Sequence, residues 1–232
     1  MTTRVLAENL ASLQERIALV AERTGRSASE ISLLAVTKTQ PPERIREAYE
    51  AGLRLFGENY VQEARVKFSE PLLDLPDLQW HFIGHLQSNK AREVVGCCSL
   101  LQSVDSFSLA TEISKRAVQR GIAQAVLLEV KLDTTAPKFG VLPHEVAPLV
   151  ENFLQLPGVR LEGLMGMAPY GTSDMVVRSS FRTLADCFGR LPSEARKVLS
   201  MGMSSDFEIA IEEGSTMIRI GTSLFGARPL KG

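Results

Sequence analysis

The sequence predicts an α/β fold, a single (β/α)8 TIM barrel over residues 1–232 with an additional N-terminal helix. Eight short apolar segments alternate with stretches of helical periodicity, which is typical of parallel strands joined by right-handed helical crossovers. No glycine-rich dinucleotide fingerprint follows the first strand, and a lysine stands at its carboxyl end, where barrels place their functional groups. These two observations favour the barrel over an open doubly wound sheet.

The composition matches that of an average globular protein. Of the 232 residues, 44% are hydrophobic and 23% are charged, which excludes a disordered chain. The formal net charge of −1 provides no general attraction for nucleic acid or for an anionic membrane. The charged N-terminus does not resemble a signal peptide, and no apolar run is long enough to cross a bilayer. We therefore expect a cytoplasmic protein without nucleic-acid or membrane partners.

The first predicted element is a helix with one apolar stripe, which Gly25 would end. The stripe repeats at alternating steps of four and three residues: Leu6, Leu10, Leu13, Ile17 and Val20. Later helices open at Pro41-Pro42, Asp105-Ser106 and Ser205-Asp206, which are residue types typical of helix N-termini. The candidate strands are Ile31–Val36, Arg54–Phe56, Leu78–Ile83, Ser99–Val104, Gln124–Val130, Val159–Met165, Lys197–Ser200 and Thr216–Ile220.

Strand alternation places Leu34, Val36 and Lys38 on one face of the first strand. If this face points into the barrel, Lys38 lies at the barrel mouth, where partial loss of hydration favours its neutral, nucleophilic amine. Such an amine can form a Schiff base with an aldehyde. The alternative is a lysine that reaches into solvent from the end of a strand.

Two turns near the end of the chain combine glycine with hydroxyl side chains. The seventh strand runs into Ser200–Ser205 and the eighth into Gly221–Ser223. Small residues expose backbone N–H groups to an anion, hydroxyls donate further hydrogen bonds, and the loops after these two strands of a barrel often bind phosphate. The turns predict a phosphate site, with helix capping by Ser204 or Ser205 as the alternative.

Arg219 lies within the apolar strand Met217–Ile220, where an unpaired guanidinium would be costly to bury. Its partner would be either a carboxylate such as Glu129 on the fifth strand or an acceptor atom of a bound ligand. An imine-forming lysine, a phosphate site and a polar group between them describe a site for a phosphorylated aldehyde. Pyridoxal 5′-phosphate is a ligand that fits all three groups.

Six segments carry motifs that are specific as a set: Leu33–Lys38, Phe56–Glu63, Trp80–Lys90, Gly163–Met167, Leu199–Ser204 and Arg219–Thr222. In this order they resemble the pyridoxal phosphate homeostasis proteins, and the similarity extends over essentially the whole chain. The resemblance implies a barrel akin to the N-terminal domain of bacterial alanine racemase, without the second domain that completes the racemase site.

The resemblance also implies a role for each site residue. Lys38 would hold the cofactor as a Schiff base, and Asn59 and His81 would line the pocket. Arg219 would approach the pyridine nitrogen, where a guanidinium disfavours ring protonation and so makes the ring a weak electron sink. The residues implied for the phosphate cup are Ser200, Met201, Gly202, Ser204, Gly221 and Thr222.

The chain departs from the family pattern after the fifth strand. Lys138 and Gly140 are kept, whereas Lys131 stands where asparagine is usual and Thr135 where glutamate is usual. These departures affect the expected far rim of the pocket but leave the expected imine unchanged.

The leading hypothesis is a non-catalytic protein that holds pyridoxal 5′-phosphate as a reversible Schiff base in intracellular vitamin B6 homeostasis. Apoenzymes that require the cofactor are candidate recipients, and a monomer is the simpler oligomeric state. The alternative is a pyridoxal phosphate-dependent amino-acid racemase or related enzyme, in which Tyr60 or Tyr170 would supply a second acid or base. A third hypothesis is an aldolase that uses Lys38 without a cofactor. No metal is expected, since His81 and His85 have no further ligand beside them.

Overall fold

The computed structural model describes residues 3–68, 72, 74–133 and 139–226, and its centre is a closed barrel of parallel strands. Each strand pairs with its neighbours in chain order, and the first closes onto the last with Leu34 opposite Arg219. All the predicted strands are present, and their ends differ from the predicted ends by at most three residues. They are β1 (Ser32–Val36), β2 (Leu55–Glu58), β3 (Gln79–Phe82), β4 (Leu100–Val104), β5 (Gln124–Val130), β6 (Val159–Gly166), β7 (Val198–Met203) and β8 (Met217–Ile220).

Helices cover the outside of the barrel, and the predicted N-terminal helix is confirmed. Its apolar stripe is buried, and the helix packs against the two helices that follow β7 and β8. None of the described helices is both long and apolar enough to cross a membrane. The helices are α1 (Thr3–Arg23), α2 (Pro42–Glu50), α3 (Val61–Lys67), α4 (Ala91–Val94), α5 (Phe107–Gln119), α6 (Val146–Leu154), α7 (Asp174–Gly189), α8 (Phe207–Glu212) and α9 (Thr222–Phe225).

Strand alternation divides the buried side chains into two sets. Outward-facing residues such as Ala35, Phe56 and Phe82 pack beneath the helices in the main core. A separate apolar cluster, Leu100, Ala125, Leu127 and Met165, fills the barrel interior. Nearer the carboxyl ends of the strands the buried interior side chains become polar: His81, Gln102, Glu129, Ser200 and Arg219. This change of polarity marks the end of the barrel that carries the candidate site.

Candidate functional site

A cavity of about 440 Å³ opens at the carboxyl ends of the strands. The sequence-predicted residues that line it are Lys38, Asn59, Ser204, Arg219, Gly221 and Thr222. The other lining residues are Val36, Ile83, Met167, Tyr170, Met203 and Ser205. The cavity therefore brings an amine, an amide, a guanidinium and several hydroxyls into one space together with apolar side chains.

Lys38 reaches the cavity because β1 presents alternate residues to the barrel interior. Val36 and Lys38 both line the cavity, and Leu34 packs inside the barrel next to Gly57, where an added Cβ would lie 2.9 Å from the leucine Cδ2. Ala35 belongs to the core beneath the helices. The face of β1 that carries Val36, and Lys38 beyond it, therefore points into the barrel, as predicted.

Asn59 brings a polar atom without a partner to the cavity wall. Its Oδ1 atom is buried and has no hydrogen-bond partner among the described residues. Leaving such an atom unsatisfied costs about 1–3 kcal/mol, so this wall is suited to a ligand with a polar atom beside it. Gly84 packs against the same residue, since a Cβ built on Gly84 would lie only 1.9 Å from the Asn59 carbonyl oxygen. This role of Gly84 was not predicted, although the glycine lies within the motif Trp80–Lys90.

The loops after β7 and β8 meet at Ser204. Its Oγ accepts a hydrogen bond of 3.3 Å from the N–H group of Ser223. In the first loop, the carboxylate of Asp206 accepts a 2.6 Å hydrogen bond from the N–H group of Met203. Burial raises the pKa of Asp206, while this hydrogen bond and Arg219 act in the opposite direction. Hydroxyl and backbone donors on two adjacent loops are groups that bind a phosphate.

Arg219 is buried at the base of the cavity and donates to neutral acceptors. Its Nη1 lies 2.6 Å from Ser200 Oγ, and its Nη2 lies 3.0 Å from the carbonyl oxygen of Gly166. Burial lowers the pKa of Arg219 to about 10, opposed by the negative charges of Asp206 and Glu129. The guanidinium thus stays charged at neutral pH. The structure does not pair Arg219 directly with Glu129, which was one of the two alternatives expected from the sequence.

A hydrogen-bonded series continues from Ser200 across the barrel interior. Ser200 Oγ donates to Gln102 Oε1 at 2.6 Å, and Gln102 Nε2 donates to His81 Nδ1 at 2.9 Å. Burial lowers the pKa of His81 to about 4, which leaves the ring neutral and able to accept this hydrogen bond. The role of Gln102 was not predicted from the sequence. A glutamine within the predicted strand, where most residues are apolar, was the available signal.

His81, Ser200, Met201 and Gly202 are not among the residues that line the cavity, and their predicted part in the pocket and phosphate cup stays a prediction. The strand β7 ends at Met203, three residues beyond its predicted end at Ser200. Alternation points Met201 outward into the core beneath the helices and Ser200 inward, below Arg219. Gly202 has φ of +96°, and a Cβ on it would lie 2.6 Å from the Cβ of Ala210 in α8. The predicted cup residues that do line the cavity are those in the loops that follow Met203 and Ile220.

The far rim differs from the centre of the site. Lys131 does not line the cavity, and Thr135 and Lys138 lie outside the described residues. His85 Nδ1 lies 3.3 Å from Asp105 Oδ2, whereas His81 is buried. Within the part of the chain that the structure describes, no three His, Cys, Asp or Glu side chains form a metal site.

Glu129 is expected to make stability depend on pH. Burial has the largest effect on the pKa of its carboxyl and raises it, Asp105 also raises it, and Arg219 lowers it. Together they bring the pKa from 4.5 to about 7. Between these pH values the folded state keeps a proton on Glu129 that the unfolded state has lost. The stabilisation from this proton is complete below pH 4.5 and is lost as pH rises through 7. Without cofactor, Glu129→Gln should become more stable relative to the unmodified protein as pH rises. We expect the difference in unfolding free energy to grow by up to roughly 3 kcal/mol from pH 4.5 to about 8. Urea denaturation at both pH values measures this, and a pH-independent difference would contradict it.

Comparison with known proteins places these features in a family. Residues 9–229 match the family model described as alanine racemase, N-terminal domain. The pyridoxal phosphate homeostasis protein of Aquifex aeolicus is 48% identical over 224 residues, which cover 95% of this chain and 97% of that protein. The homeostasis protein of Escherichia coli K12 is 41% identical over 229 residues, which cover 96% of this chain and 97% of that protein.

Solved structures share the fold. PipY of Synechococcus elongatus, 41% identical, has been solved without and with PLP, and the match covers 95% of this chain and 100% of PipY with TM-scores of 0.86 and 0.80. Alanine racemase of Clostridium difficile, 15% identical, covers 97% of this chain and has a TM-score of 0.71. The match covers 56% of that racemase and shows the shared barrel alone. The chain thus belongs to the family of pyridoxal phosphate homeostasis proteins, which is built on the barrel of the alanine racemase N-terminal domain.

Proposed function

We propose that this protein binds pyridoxal 5′-phosphate through a Schiff base on Lys38 and acts, without turnover chemistry, in intracellular vitamin B6 homeostasis. The observation that carries the proposal is the cavity shared by Lys38, the hydroxyl-bearing loops and Arg219. The names of the relatives and the PLP-containing structure of PipY support it. The chain would act as one cytoplasmic, monomeric binding domain that supplies apoenzymes requiring the cofactor.

The side chains of the cavity fit this ligand by their chemistry. The amine nitrogen of Lys38 would attack the aldehyde carbon, and a C=N bond would replace C=O while the oxygen leaves as water. Ser204 and Thr222, with the backbone N–H groups of their loops, would hold the phosphate. The Oδ1 atom of Asn59, which has no partner among the described residues, would accept a hydrogen bond from a polar atom of the ligand. The reverse reaction with water would release the intact aldehyde.

The environment of Arg219 favours binding over turnover. A guanidinium that stays charged and donates to neutral acceptors cannot accept a proton from a ligand. Beside the pyridine nitrogen, its positive charge would disfavour ring protonation, and the ring would then withdraw electrons weakly. This property supports a carrier or buffer of the aldehyde rather than a racemase.

The position of Tyr170 provides a test of the racemase alternative. Tyr170 lines the cavity, although 85% of its surface is exposed, whereas Tyr60 does not line it. An exposed phenol is poorly fixed for proton transfer, so we expect no sustained interconversion of amino-acid enantiomers. Racemisation that is lost in Tyr170→Phe would support the enzyme instead.

The covalent link is tested by borohydride reduction of the protein mixed with pyridoxal 5′-phosphate, followed by intact mass measurement and peptide mapping. We expect one pyridoxyl group, located on Lys38. An unmodified Lys38 would refute the proposal. A colourless protein that cleaves sugar phosphates without cofactor would support the aldolase hypothesis.

Ser204→Asp is expected to weaken cofactor binding by at least about tenfold, because a carboxylate would face the phosphate across a short distance. The neutral variant Ser204→Ala is the matched control and should lose less affinity, since it removes only a hydroxyl. Absorbance titration with pyridoxal 5′-phosphate measures both dissociation constants. Equal affinities for the two variants would place Ser204 outside the phosphate site.

A further inference from the structure

The residues on either side of Lys38 are held by side chains from outside the cavity. On one side, the hydroxyl of Thr37 donates to Glu58 Oε1 at 2.5 Å, and the Thr37 carbonyl accepts a 2.7 Å hydrogen bond from Lys67 Nζ. On the other side, the N–H group of Thr39 donates to Glu63 Oε2 at 2.7 Å. The backbone that carries Lys38 is therefore attached at both ends.

Lys67 joins these attachments into one group, which we call the Lys67 cluster (Glu58, Glu63 and Lys67). Its Nζ lies 2.7 Å from Glu58 Oε1 and 3.3 Å from Glu63 Oε2. The Lys67 side chain is 6% exposed and that of Glu58 is 0% exposed, so the central ion pair is buried. The cluster lies between α3 and the barrel, because Glu58 faces outward on β2 while Asn59 faces the cavity.

A buried ion pair is an expensive way to stabilise a fold, since well-packed apolar residues of similar volume often do so equally well. Burial also raises the pKa of Glu58, while Lys67 lowers it, and the Glu58 Oε2 atom has no hydrogen-bond partner among the described residues. A buried ion pair is thus weak evidence for a stabilising role. The hydrogen bonds of this cluster to Thr37 and Thr39 point instead to a role in holding one backbone conformation.

The conformation that is fixed is an unusual one. Thr39 has φ of +64°, in the left-handed region that β-branched residues rarely adopt. Such strain persists only where surrounding contacts impose it, and it is common at functional sites. Glu63 supplies a contact of this kind, because its carboxylate captures the N–H group of the strained residue. The direction in which the chain leaves Lys38 thus depends on the cluster.

We infer that Glu58, Glu63 and Lys67 are positioning residues, which hold the segment from Thr37 to Thr39 so that the Lys38 amine meets the aldehyde carbon in the cavity. The inference rests on the proposed Schiff base. None of the three lines the cavity, so they act on the reaction through Lys38. Loosening the segment should therefore weaken formation of the C=N bond.

The test compares three single variants of the full chain. Glu63→Ala removes the acceptor of the Thr39 N–H group, and Glu63→Gln retains an acceptor in its amide oxygen. Glu112→Ala is the matched control, because Glu112 pairs with Arg116 four residues later on α5, and its side chain is 23% exposed against 31% for Glu63. For each variant we would measure the dissociation constant of pyridoxal 5′-phosphate, the pH midpoint of the Schiff-base absorption, the melting temperature, and hydrogen exchange of the Thr39 amide without cofactor.

Glu63→Ala should bind the cofactor about tenfold more weakly, shift the pH midpoint of the absorption band and exchange its Thr39 amide faster. Glu63→Gln should stay within about twofold of the unmodified protein, and Glu112→Ala should match it in affinity and pH midpoint. The double variant Glu58→Gln with Lys67→Met, which leaves no buried charge unpaired, should also bind more weakly while remaining folded.

A lower melting temperature in Glu63→Ala with unchanged affinity and pH midpoint would overturn the inference and leave a structural role. The same conclusion would follow if exchange of the Thr39 amide increased without any effect on cofactor binding. A missing pyridoxyl group on Lys38 of the unmodified protein would instead refute the proposed function itself, and the inference with it. The mass measurement thereby separates the two failures.

Discussion

Replacing Lys38 with alanine is expected to abolish the visible absorption band that the protein acquires with pyridoxal 5′-phosphate. The variant keeps Arg219 and the loops proposed to bind the phosphate but loses the nitrogen of the proposed C=N bond, so any remaining binding would be noncovalent. We expect the affinity to fall by at least about a hundredfold, which corresponds to roughly 3 kcal/mol. Absorbance titration measures both the band and the dissociation constant.

Lys131→Ala is the matched control for this experiment. Lys131 follows β5 and so lies at the same end of the barrel, but it does not line the cavity. This variant should retain the band and the affinity of the unmodified protein. An unchanged band in Lys38→Ala would show that another amine binds the aldehyde.

Gly84→Ala is expected to disrupt the site from behind Asn59. The added Cβ would lie 1.9 Å from the Asn59 carbonyl oxygen and 2.8 Å from its Cα, so the backbone of Asn59 must move. Overpacking of this kind costs roughly 1–3 kcal/mol of stability. Because the moved residue lines the cavity, we also expect cofactor affinity to fall by at least about tenfold, one decade of affinity being about 1.4 kcal/mol. Urea denaturation and absorbance titration measure the two effects.

Gly189→Ala provides the matched substitution, since a Cβ at this position of α7 meets nothing within 4 Å. It should leave both stability and affinity close to those of the unmodified protein. If Gly84→Ala does not fold, Asn59→Ala tests the same wall by removing only the amide. Full affinity in a folded Gly84→Ala protein would mean that the position of Asn59 is unimportant for binding.

Most of the fold could be predicted because its signals are local. Apolar runs and helical periodicity identified the strands of the barrel, and alternation along β1 identified the face shared by Val36 and Lys38. The amine, the guanidinium and the hydroxyl-bearing turns were also visible, since each stands at a strand end or within an apolar strand. These features depend on neighbours a few residues apart.

The partners of those side chains could not be predicted in the same way. Arg219 meets Ser200 on the neighbouring strand β7 and Gly166 on β6, and Gln102 on β4 joins Ser200 to His81. Such meetings depend on the register and stagger of strands that are distant in the chain. The predicted end of β7 at Ser200 was also wrong, since the strand runs on to Met203, where α8 packs against it.

The sequence by itself determined the barrel, the inward face of the first strand and the kinds of chemical group available at its mouth. Local periodicity and residue type are sufficient for these, since they act along a continuous stretch of chain. Only the tertiary structure decided which of the groups share the cavity and which support them from below or from outside. Closing the barrel brings separate strands to contact distance, and the depth of each side chain then follows from where its own strand ends.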